Sequence, residues 1–215
     1  WKSTDSGDTW STKRSGFFAY GGSSIAISPF DENLVLATGG HMSNPPVSRG
    51  VQGLFRTTDG GARWSQVASH WMPRPNQERG GDLIAFSGRN TVYLGTADQG
   101  VLRSTDAGLT WNQVATPAQL GGATTEVLEV KAPRLTPDGQ YPKTLFVVTL
   151  NPASPLQKVV DNGASVTVSV AGNGLPSLVN SIAIPSGNQT IIYAAAREQG
   201  VYKSTDGGAT FVVKN

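Results

Sequence analysis

The sequence predicts an all-β fold, a β-propeller, and three observations lead to this prediction. An eight-residue pattern of Ser/Thr, any residue, Asp, any residue, Gly, any residue, Thr/Arg and an aromatic residue occurs four times in 215 residues. Its copies recur at intervals that suit one four-stranded unit each. Short apolar stretches fill the intervals. Repeats of about 40 to 50 residues with four strands each are typical of β-propeller blades.

Each copy of the pattern is predicted to be the turn of a β-hairpin. The copy at residues 104–111 follows Val101, Leu102 and the basic residue Arg103, and a short strand-like stretch at 111–114 comes after it. Strand, turn and strand at this spacing form a hairpin. The Asp can accept backbone N–H groups of the turn, and the Gly permits a positive φ. The aromatic residue is expected to pack into the core.

The spacing of the copies predicts one more that the pattern misses. The aspartates lie at positions 5, 59, 106 and 206, so the last gap of 100 residues is about twice the gaps of 54 and 47. A degenerate copy at 159–166, with Asp161 and Gly163, fills this gap. A structural role is therefore predicted for the following residues of the turns: Asp5, Trp10, Asp59, Trp64, Asp106, Trp111, Asp161, Asp206 and Phe211.

The repeats divide the chain, taken as a single propeller domain over residues 1–215, into about four and a half blades. The half-blade spans 1–14, and the whole blades span approximately 24–68, 82–115, 125–170 and 178–215. Each whole blade contains four strand-like stretches, whereas the half-blade has only its last two, because the chain starts at Trp1. Since an open ring would expose apolar sheet faces, we expect a part of a larger propeller, or missing strands from another segment.

The composition excludes several classes of protein. There are 26 Gly and 13 Pro against 15% charged residues, which indicates many turns, and the absence of Cys excludes disulfides and thiolate metal sites. No apolar run is long enough to span a membrane. The net charge is +2 without a long basic run, so no nucleic-acid partner is predicted. No metal-binding or phosphate-binding motif occurs, and no metal or cofactor is expected.

The alternation of antiparallel strands assigns the connections to two rims of the propeller. Turns between first and second strands and between third and fourth strands share one rim, the box rim. The remaining turns and the crossings between blades share the other, the loop rim. The longest irregular segments fall on the loop rim: 15–23, 39–52, 69–82 and 116–124. Long loops on a rigid scaffold commonly carry binding sites.

The loop rim is rich in aromatic, Arg and His side chains, which suit stacking on sugar rings or hydrogen bonding to polar or anionic ligands. Trp71 is the preferred ligand platform, while Phe17 and Phe18 are assigned to the core. For every candidate the alternative is a gap-filling aromatic residue or a solvated charge. The ligand-binding candidates are Trp71, Arg74, Arg79, His41, Arg49, His70 and Tyr20.

Catalytic residues remain unassigned at this level. Glycoside hydrolysis needs two carboxyl groups about 5 to 9.5 Å apart. The acids expected on the loop rim are Glu78, Asp82, Asp98 and Glu198, and no spacing holds two of them together. A Ser–His–Asp set involving His41 or His70 stays open, although the sequence has no Gly-x-Ser-x-Gly element.

The eight-residue copies resemble those of the Asp-box, or bacterial neuraminidase repeat, propellers. These include sialidases, sortilin-type receptors, photosystem II assembly factors and xyloglucan-cleaving endoglucanases. The Arg triad and Phe/Tyr-Arg-Ile-Pro segment of sialidases do not appear, and the sortilin type carries disulfides. Residues 25–39 with 53–61, and 79–83 with 100–106, are similar to early blades of the xyloglucanase-type glycoside hydrolases. Where that family usually has Gly-Glu-Arg-Leu, this chain has Gly-Gly-Asp-Leu at 80–83.

The resemblance, which covers about residues 1–115, implies a secreted, carbohydrate-directed propeller with an extracellular or periplasmic location. A polysaccharide or oligosaccharide would be its ligand. In the xyloglucanase type the general base lies just before the segment matching Trp1, and the general acid lies in a second propeller. A complete catalytic pair is then not expected within this chain. The alternative is a non-catalytic scaffold or protein-binding propeller of the assembly-factor or receptor type.

Overall fold

The computed structural model describes residues 1–17, 22–39, 53–69, 81–123, 125–133, 143–185 and 188–214. Within these ranges the protein is all-β, with sixteen strands in four antiparallel sheets. Every sheet has four strands that pair in the order of the sequence. The predicted fold class is confirmed: the architecture is that of a partial β-propeller of about four blades.

The sixteen strands form four sheets that follow one another along the chain. The first sheet contains β1 (Gly22–Ser28), β2 (Asp31–Gly39), β3 (Gly53–Thr57) and β4 (Ser65–Ala68). The second contains β5 (Ile84–Phe86), β6 (Val92–Gly95), β7 (Val101–Ser104) and β8 (Asn112–Ala115). The third contains β9 (Val127–Lys131), β10 (Thr144–Thr149), β11 (Leu156–Asp161) and β12 (Val166–Ala171). The fourth contains β13 (Val179–Ala183), β14 (Ile192–Ala196), β15 (Gly200–Ser204) and β16 (Val212–Val213).

The N-terminal segment differs from the predicted pair of strands. Residues 1–17 hold one β-bridge, in which Lys2 and Ser11 exchange backbone hydrogen bonds of 2.8 and 2.9 Å. A hairpin with no further strand beside it is only marginally stable, which accounts for a single bridge instead of a ladder. The segment is nevertheless held against the first sheet by contacts described below.

The apolar core lies between successive sheets. One cluster joins the first and second sheets, one the second and third, and one the third and fourth. A sheet covered on both faces needs nearly continuous apolar strands, and β10 accordingly has five consecutive buried residues. Among the described residues, no core cluster or strand pairing joins the first sheet to the fourth.

The four complete copies of the eight-residue pattern form similar turns between third and fourth strands, or within the N-terminal segment. In the copy at 104–111, the Ser104 hydroxyl donates to Asp106 (2.7 Å) and accepts from the Gly108 N–H (2.8 Å). Asp106 accepts the backbone N–H and the hydroxyl of Thr110 at 2.9 and 2.6 Å. The hydroxyl-to-Asp and Gly-to-hydroxyl bonds recur in the other three copies.

The residue after each of these aspartates has a left-handed backbone. Its φ is 61° at Ser6, 66° at Gly60, 58° at Ala107 and 71° at Gly207. In the first, second and fourth sheets, the N–H of this residue donates to a carbonyl at or just before the start of the second strand, as from Ala107 to Asn90 at 2.9 Å. The two turns of a sheet therefore share the box rim.

The aromatic residue that ends each turn does not always reach the core. Phe211 is buried, and Trp64 and Trp111 are half-buried. Trp10, for which the sequence predicts core packing, is 58% exposed. Its indole N–H donates to Gly7 of its own turn at 2.9 Å, so the ring stays on the turn where no described sheet covers it.

In three of the repeats, a basic residue directly before the turn contacts the turn of the next repeat. The Lys2 ammonium donates to the Gly60 carbonyl at 3.3 Å, and Arg56 Nε donates to the Ala107 carbonyl at 2.8 Å. Arg103 Nη1 donates to the carbonyl of Gly163 at 3.2 Å. All three contacts run from one blade to the turn of the blade that follows it in the sequence; we call them forward contacts.

The degenerate copy forms a turn between β11 and β12, but its Asp has a different role. Asp161 is buried and accepts the Tyr93 hydroxyl (2.9 Å) and Arg103 Nη1 (2.7 and 2.8 Å) from the second sheet. Within its own turn it accepts the Gly163 N–H at 2.8 Å. Val159 occupies the position of the pattern's hydroxyl, so the carboxylate binds the neighbouring sheet instead. Burial and the Asp161 hydrogen bond raise the pKa of Tyr93.

Replacing Ala107 by Gly is expected to stabilise the protein by about 0.5 kcal/mol. Gly adopts the left-handed φ without the steric cost that Ala has there, but the greater backbone freedom of Gly in the unfolded chain offsets part of this gain. The matched control is Ala62→Gly at an exposed turn position outside the left-handed region, which should destabilise. Chemical denaturation measures both. A loss of stability in Ala107→Gly as large as in the control would contradict the strain at residue 107.

Asp106→Asn is expected to lower the unfolding free energy at neutral pH by about 1 kcal/mol, a figure reduced for the exposed position. Bonds from Thr110 and Ser104 lower the pKa of Asp106 from 3.8 to about 2. Because the folded-state pKa is the lower one, this stabilisation is present above about pH 4 and disappears toward pH 2. Denaturation curves between pH 7 and pH 2 should show the variant and the parent converging. The exposed Asp98→Asn serves as the control, and a constant difference across this range would refute the expectation.

Candidate functional site

A cavity of about 620 Å³ lies between the N-terminal segment and the first sheet. Ser24 near the start of β1 and Thr38 near the end of β2 form part of its wall. Both strands meet the loop rim at these ends, because the turn between them lies on the box rim. The cavity thus adjoins the rim where the sequence places binding. Its aromatic and charged walls are Trp1, Phe17, Trp64, Lys13, Arg14 and Asp82.

Aromatic packing fixes the N-terminal segment beside this cavity. The Phe17 ring lies 4.4 Å from the Phe55 ring and 5.4 Å, edge to face, from the Trp64 ring. The Trp64 backbone N–H donates to Ser15 at 2.8 Å, and its indole N–H donates to Lys13 at 3.0 Å. Trp64 thereby anchors the segment by both ring and backbone, and the half-buried Phe17 packs on Phe55 and Trp64.

Gly16 permits this close approach. Its φ is 82°, and a Cβ at this position would lie 2.1 Å from the Trp64 carbonyl oxygen. Any larger residue would push the segment away from the first sheet. The width of the cavity therefore depends on a glycine.

Charged groups of both signs lie around the aromatic walls. Lys13 and Arg14 are exposed, and the Asp82 side chain is 61% exposed. Asp82 contacts the Lys131 ammonium, which restrains the carboxylate at the cavity. Trp1 is 80% exposed. Flat aromatic faces with hydrogen-bonding charges beside them can hold a polyhydroxylated ring.

Behind Asp82, a polar network connects three sheets along their first strands. Lys131 on β9 lies 3.2 Å from the buried Glu129 carboxylate. That carboxylate accepts the Ser181 hydroxyl at 3.1 Å and the Ile182 N–H at 2.8 Å, both from β13. First strands of successive sheets contact one another, and here ionic and hydrogen bonds accompany the apolar contact.

The protonation of the network follows from burial and pairing. Burial raises the pKa of Glu129, while the Lys131 charge and the Ile182 N–H act in the opposite direction. Burial alone would lower the pKa of Lys131, but the hydrogen bond with Asp82 and the charge of Glu129 raise it overall. Glu129 is fully buried with three donors around it, so it links sheets, and Asp82 is the carboxylate that a ligand can reach.

All seven predicted ligand-binding candidates lie outside the described residues: Tyr20, His41, Arg49, His70, Trp71, Arg74 and Arg79. Phe18 and Glu78 also lie outside them. Asp98 and Glu198 are exposed in the β6–β7 and β14–β15 turns, and Glu198 lies 3.5 Å from Arg197. In the part of the chain that is described, no three His, Cys, Asp or Glu side chains are grouped to hold a metal ion. Nor do the described residues form any helix of the length and apolarity needed to cross a bilayer.

Trp1, Lys13, Arg14, Glu129 and Lys131 are absent from the sequence-based candidates. For the last two a signal exists, because a strand reading Leu-Glu-Val-Lys at 128–131 places two charges on one face of an otherwise apolar strand. For the first three no signal exists, since their position depends on how the N-terminal segment packs on the first sheet.

Comparison with known proteins gives matches in structure only. No family model matches the chain, and no curated protein matches it in sequence. The GH74 enzyme of Niastella koreensis matches with a TM-score of 0.55 and 17% identity over 89% of this chain. The GH74 xyloglucanase of Xanthomonas campestris matches with 0.56 and 17% over 89%. U3-55K, whose structure is also known, matches with 0.58 and 11% over 89%.

This chain corresponds to only a part of each of these proteins. This chain spans 38% of either GH74 enzyme and 50% of U3-55K. At such low identity the likeness concerns the arrangement of the sheets and not the chemistry of a site. The chain shares a β-propeller fold with GH74 glycoside hydrolases and with propellers that carry no hydrolase name.

Proposed function

We propose that this chain is a carbohydrate-directed propeller that binds a polysaccharide or oligosaccharide along its loop rim. The observation that carries the proposal is the cavity of about 620 Å³ with Trp1, Phe17 and Trp64 in its walls and Asp82 at its edge. The predicted candidates Trp71, Arg74 and Arg79 belong to the loop that leads into Asp82. They are proposed to extend the same groove.

The chemistry of a sugar suits these walls. A pyranose has an apolar face that stacks on an aromatic ring, and a rim of hydroxyl groups that need hydrogen-bond partners. Trp1 supplies an exposed face. Lys13 and Arg14 supply donors, and Asp82, restrained by Lys131, supplies an acceptor for hydroxyl groups. The aromatic face, the donors and the acceptor together are sufficient for a binding role.

Catalysis by this chain alone is not part of the proposal. Lys131 contacts both the Asp82 and the Glu129 carboxylates. Because Glu129 is 0% exposed, water and substrate do not reach it. The fold shared with GH74 enzymes supports a fragment or relative of a xyloglucanase-type hydrolase. A secreted location, extracellular or periplasmic, and the assignment of residues 1–215 to one propeller domain of a larger ring belong to the same proposal.

A protein-binding scaffold is the second candidate. The observation that favours it is the exposed apolar surface of the outermost sheets, where Ile25 is 64%, Ile27 60% and Val212 59% exposed. The likeness to U3-55K is as close as that to the GH74 enzymes. Under this alternative the loop rim has no glycan to bind, and a protein covers an outer sheet.

Trp1→Ala is expected to weaken binding of xyloglucan oligosaccharides roughly tenfold, since loss of an aromatic platform costs about 1 to 1.5 kcal/mol. Trp10→Ala is the matched control, because Trp10 is also exposed but lies on the box rim. Titration calorimetry measures both affinities, and thermal unfolding checks that each variant is folded.

Trp71→Ala tests the wider groove by the same measurement and should also weaken binding. Equal affinities of parent and Trp1→Ala would remove the cavity from the binding site. If no glucan binds to the parent and a pull-down recovers a protein whose capture Ile27→Glu abolishes, the scaffold alternative replaces the glycan proposal, because Ile27 is exposed on β1 and does not line the cavity.

A further inference from the structure

A second cavity, of about 310 Å³, lies on the box rim between the second and third sheets. It is on the side opposite to the proposed glycan groove. Arg103 on β7 and Lys143 before β10 contribute its positive charges. Hydroxyl groups of Thr91 and Thr105 and the side chain of Asn162 complete the polar wall. Nothing in the proposed function uses this cavity.

Arg103 has unused donors there. Its contacts to both Asp161 oxygens and to the Gly163 carbonyl are all made by Nη1. Within the described residues, no acceptor bonds to Nε or Nη2. These two atoms form the edge of the guanidinium whose parallel N–H groups match two oxygens of a carboxylate, phosphate or sulfate.

The corresponding arginine of the first sheet does not have a free Nε and Nη2 edge, which distinguishes the second sheet from the first. Arg56 occupies the corresponding position on β3, but its Nε donates to the Ala107 carbonyl at 2.8 Å. The bidentate edge of Arg56 is therefore occupied by the next blade. In the fourth sheet the corresponding Lys203 has no such edge, and its ammonium lies 5.5 Å from the Tyr193 ring centre.

The charge balance at the cavity favours an anion. The charged and titratable groups in its walls are Arg103, Lys143, Asp161 and Tyr93. Asp161 has a side-chain exposure of 1% and accepts four hydrogen bonds, including one from the Tyr93 hydroxyl. Its carboxylate offers little to a ligand, whereas Lys143 is exposed and bonds to no acceptor in the described part. Among the described residues at the cavity, no acid balances the charge of Lys143.

We propose that this cavity binds a small oxyanion. Nε and Nη2 of Arg103 hold two oxygens of the anion, Lys143 neutralises its charge, and the hydroxyl groups of Thr91 and Thr105 donate to the remaining oxygen atoms. Asp161 acts as a positioning residue: by occupying Nη1 it orients the guanidinium with its bidentate edge toward the cavity. The degenerate turn, which lacks the pattern's hydroxyl, is what releases Asp161 for this role.

The test is a titration of the ¹⁵N-labelled chain with inorganic phosphate at constant ionic strength and pH, followed by amide chemical shifts. We expect saturable shifts at Thr105, Asn162 and Gly163. Lys143→Gln should weaken the apparent affinity roughly fivefold, since it removes one partly exposed charge pair. Lys214→Gln, at an exposed position elsewhere, is the matched control and should leave the affinity unchanged.

A second variant tests the bidentate edge. Arg103→Lys retains the charge but not the fork, so phosphate binding should be lost while a thermal melt confirms that the protein is folded. Titrations with sulfate and acetate then show whether the cavity prefers a tetrahedral or a planar anion. Shifts that rise linearly without saturation, or an affinity that Lys143→Gln leaves unchanged, would overturn the proposal. The glycan measurements on Trp1→Ala are independent of this outcome.

Discussion

Apolar packing between successive sheets is the interaction on which the remaining structure depends. Each sheet is too thin to enclose a core, so Leu36, Tyr93 and Phe146 are buried only because a neighbouring sheet covers them. Burial of such side chains contributes about 1.5 to 3 kcal/mol each. The hydrogen bonds of the turns and the forward contacts then fix how one sheet meets the next.

This stacking explains why both described cavities lie at the rims. The faces that successive sheets turn toward each other are buried by packing, and the first strands of the second, third and fourth sheets meet at the polar network of Asp82, Lys131 and Glu129. What remains are the strand ends. The aromatic cavity adjoins the loop rim, and the smaller polar cavity lies on the box rim beside the hydrogen-bonded turns of the repeats. The two cavities therefore differ in chemistry for a topological reason.

Sequence spacing predicted the sheets well because the repeated turn is local: the hydroxyl, Asp and Gly that form it lie within five residues. It also placed the hidden turn at Asp161. Spacing could not predict that Asp161 binds Tyr93 and Arg103, 68 and 58 residues away, or that Trp10 stays exposed. Those outcomes depend on whether a neighbouring sheet covers the side chain and on which of its residues do so. The aromatic cavity is of the same kind, since Phe17 reaches it through packing on Trp64.

The forward contacts have a consequence for how such a chain can change by duplication. Donor and acceptor both lie at the turn, so a repeat copied as a whole carries the means to join any neighbour, as Lys2, Arg56 and Arg103 illustrate. Asp161 is different, because its buried carboxylate requires a Tyr and an Arg on the preceding sheet. The second and third repeats are therefore a matched pair that cannot be reordered separately.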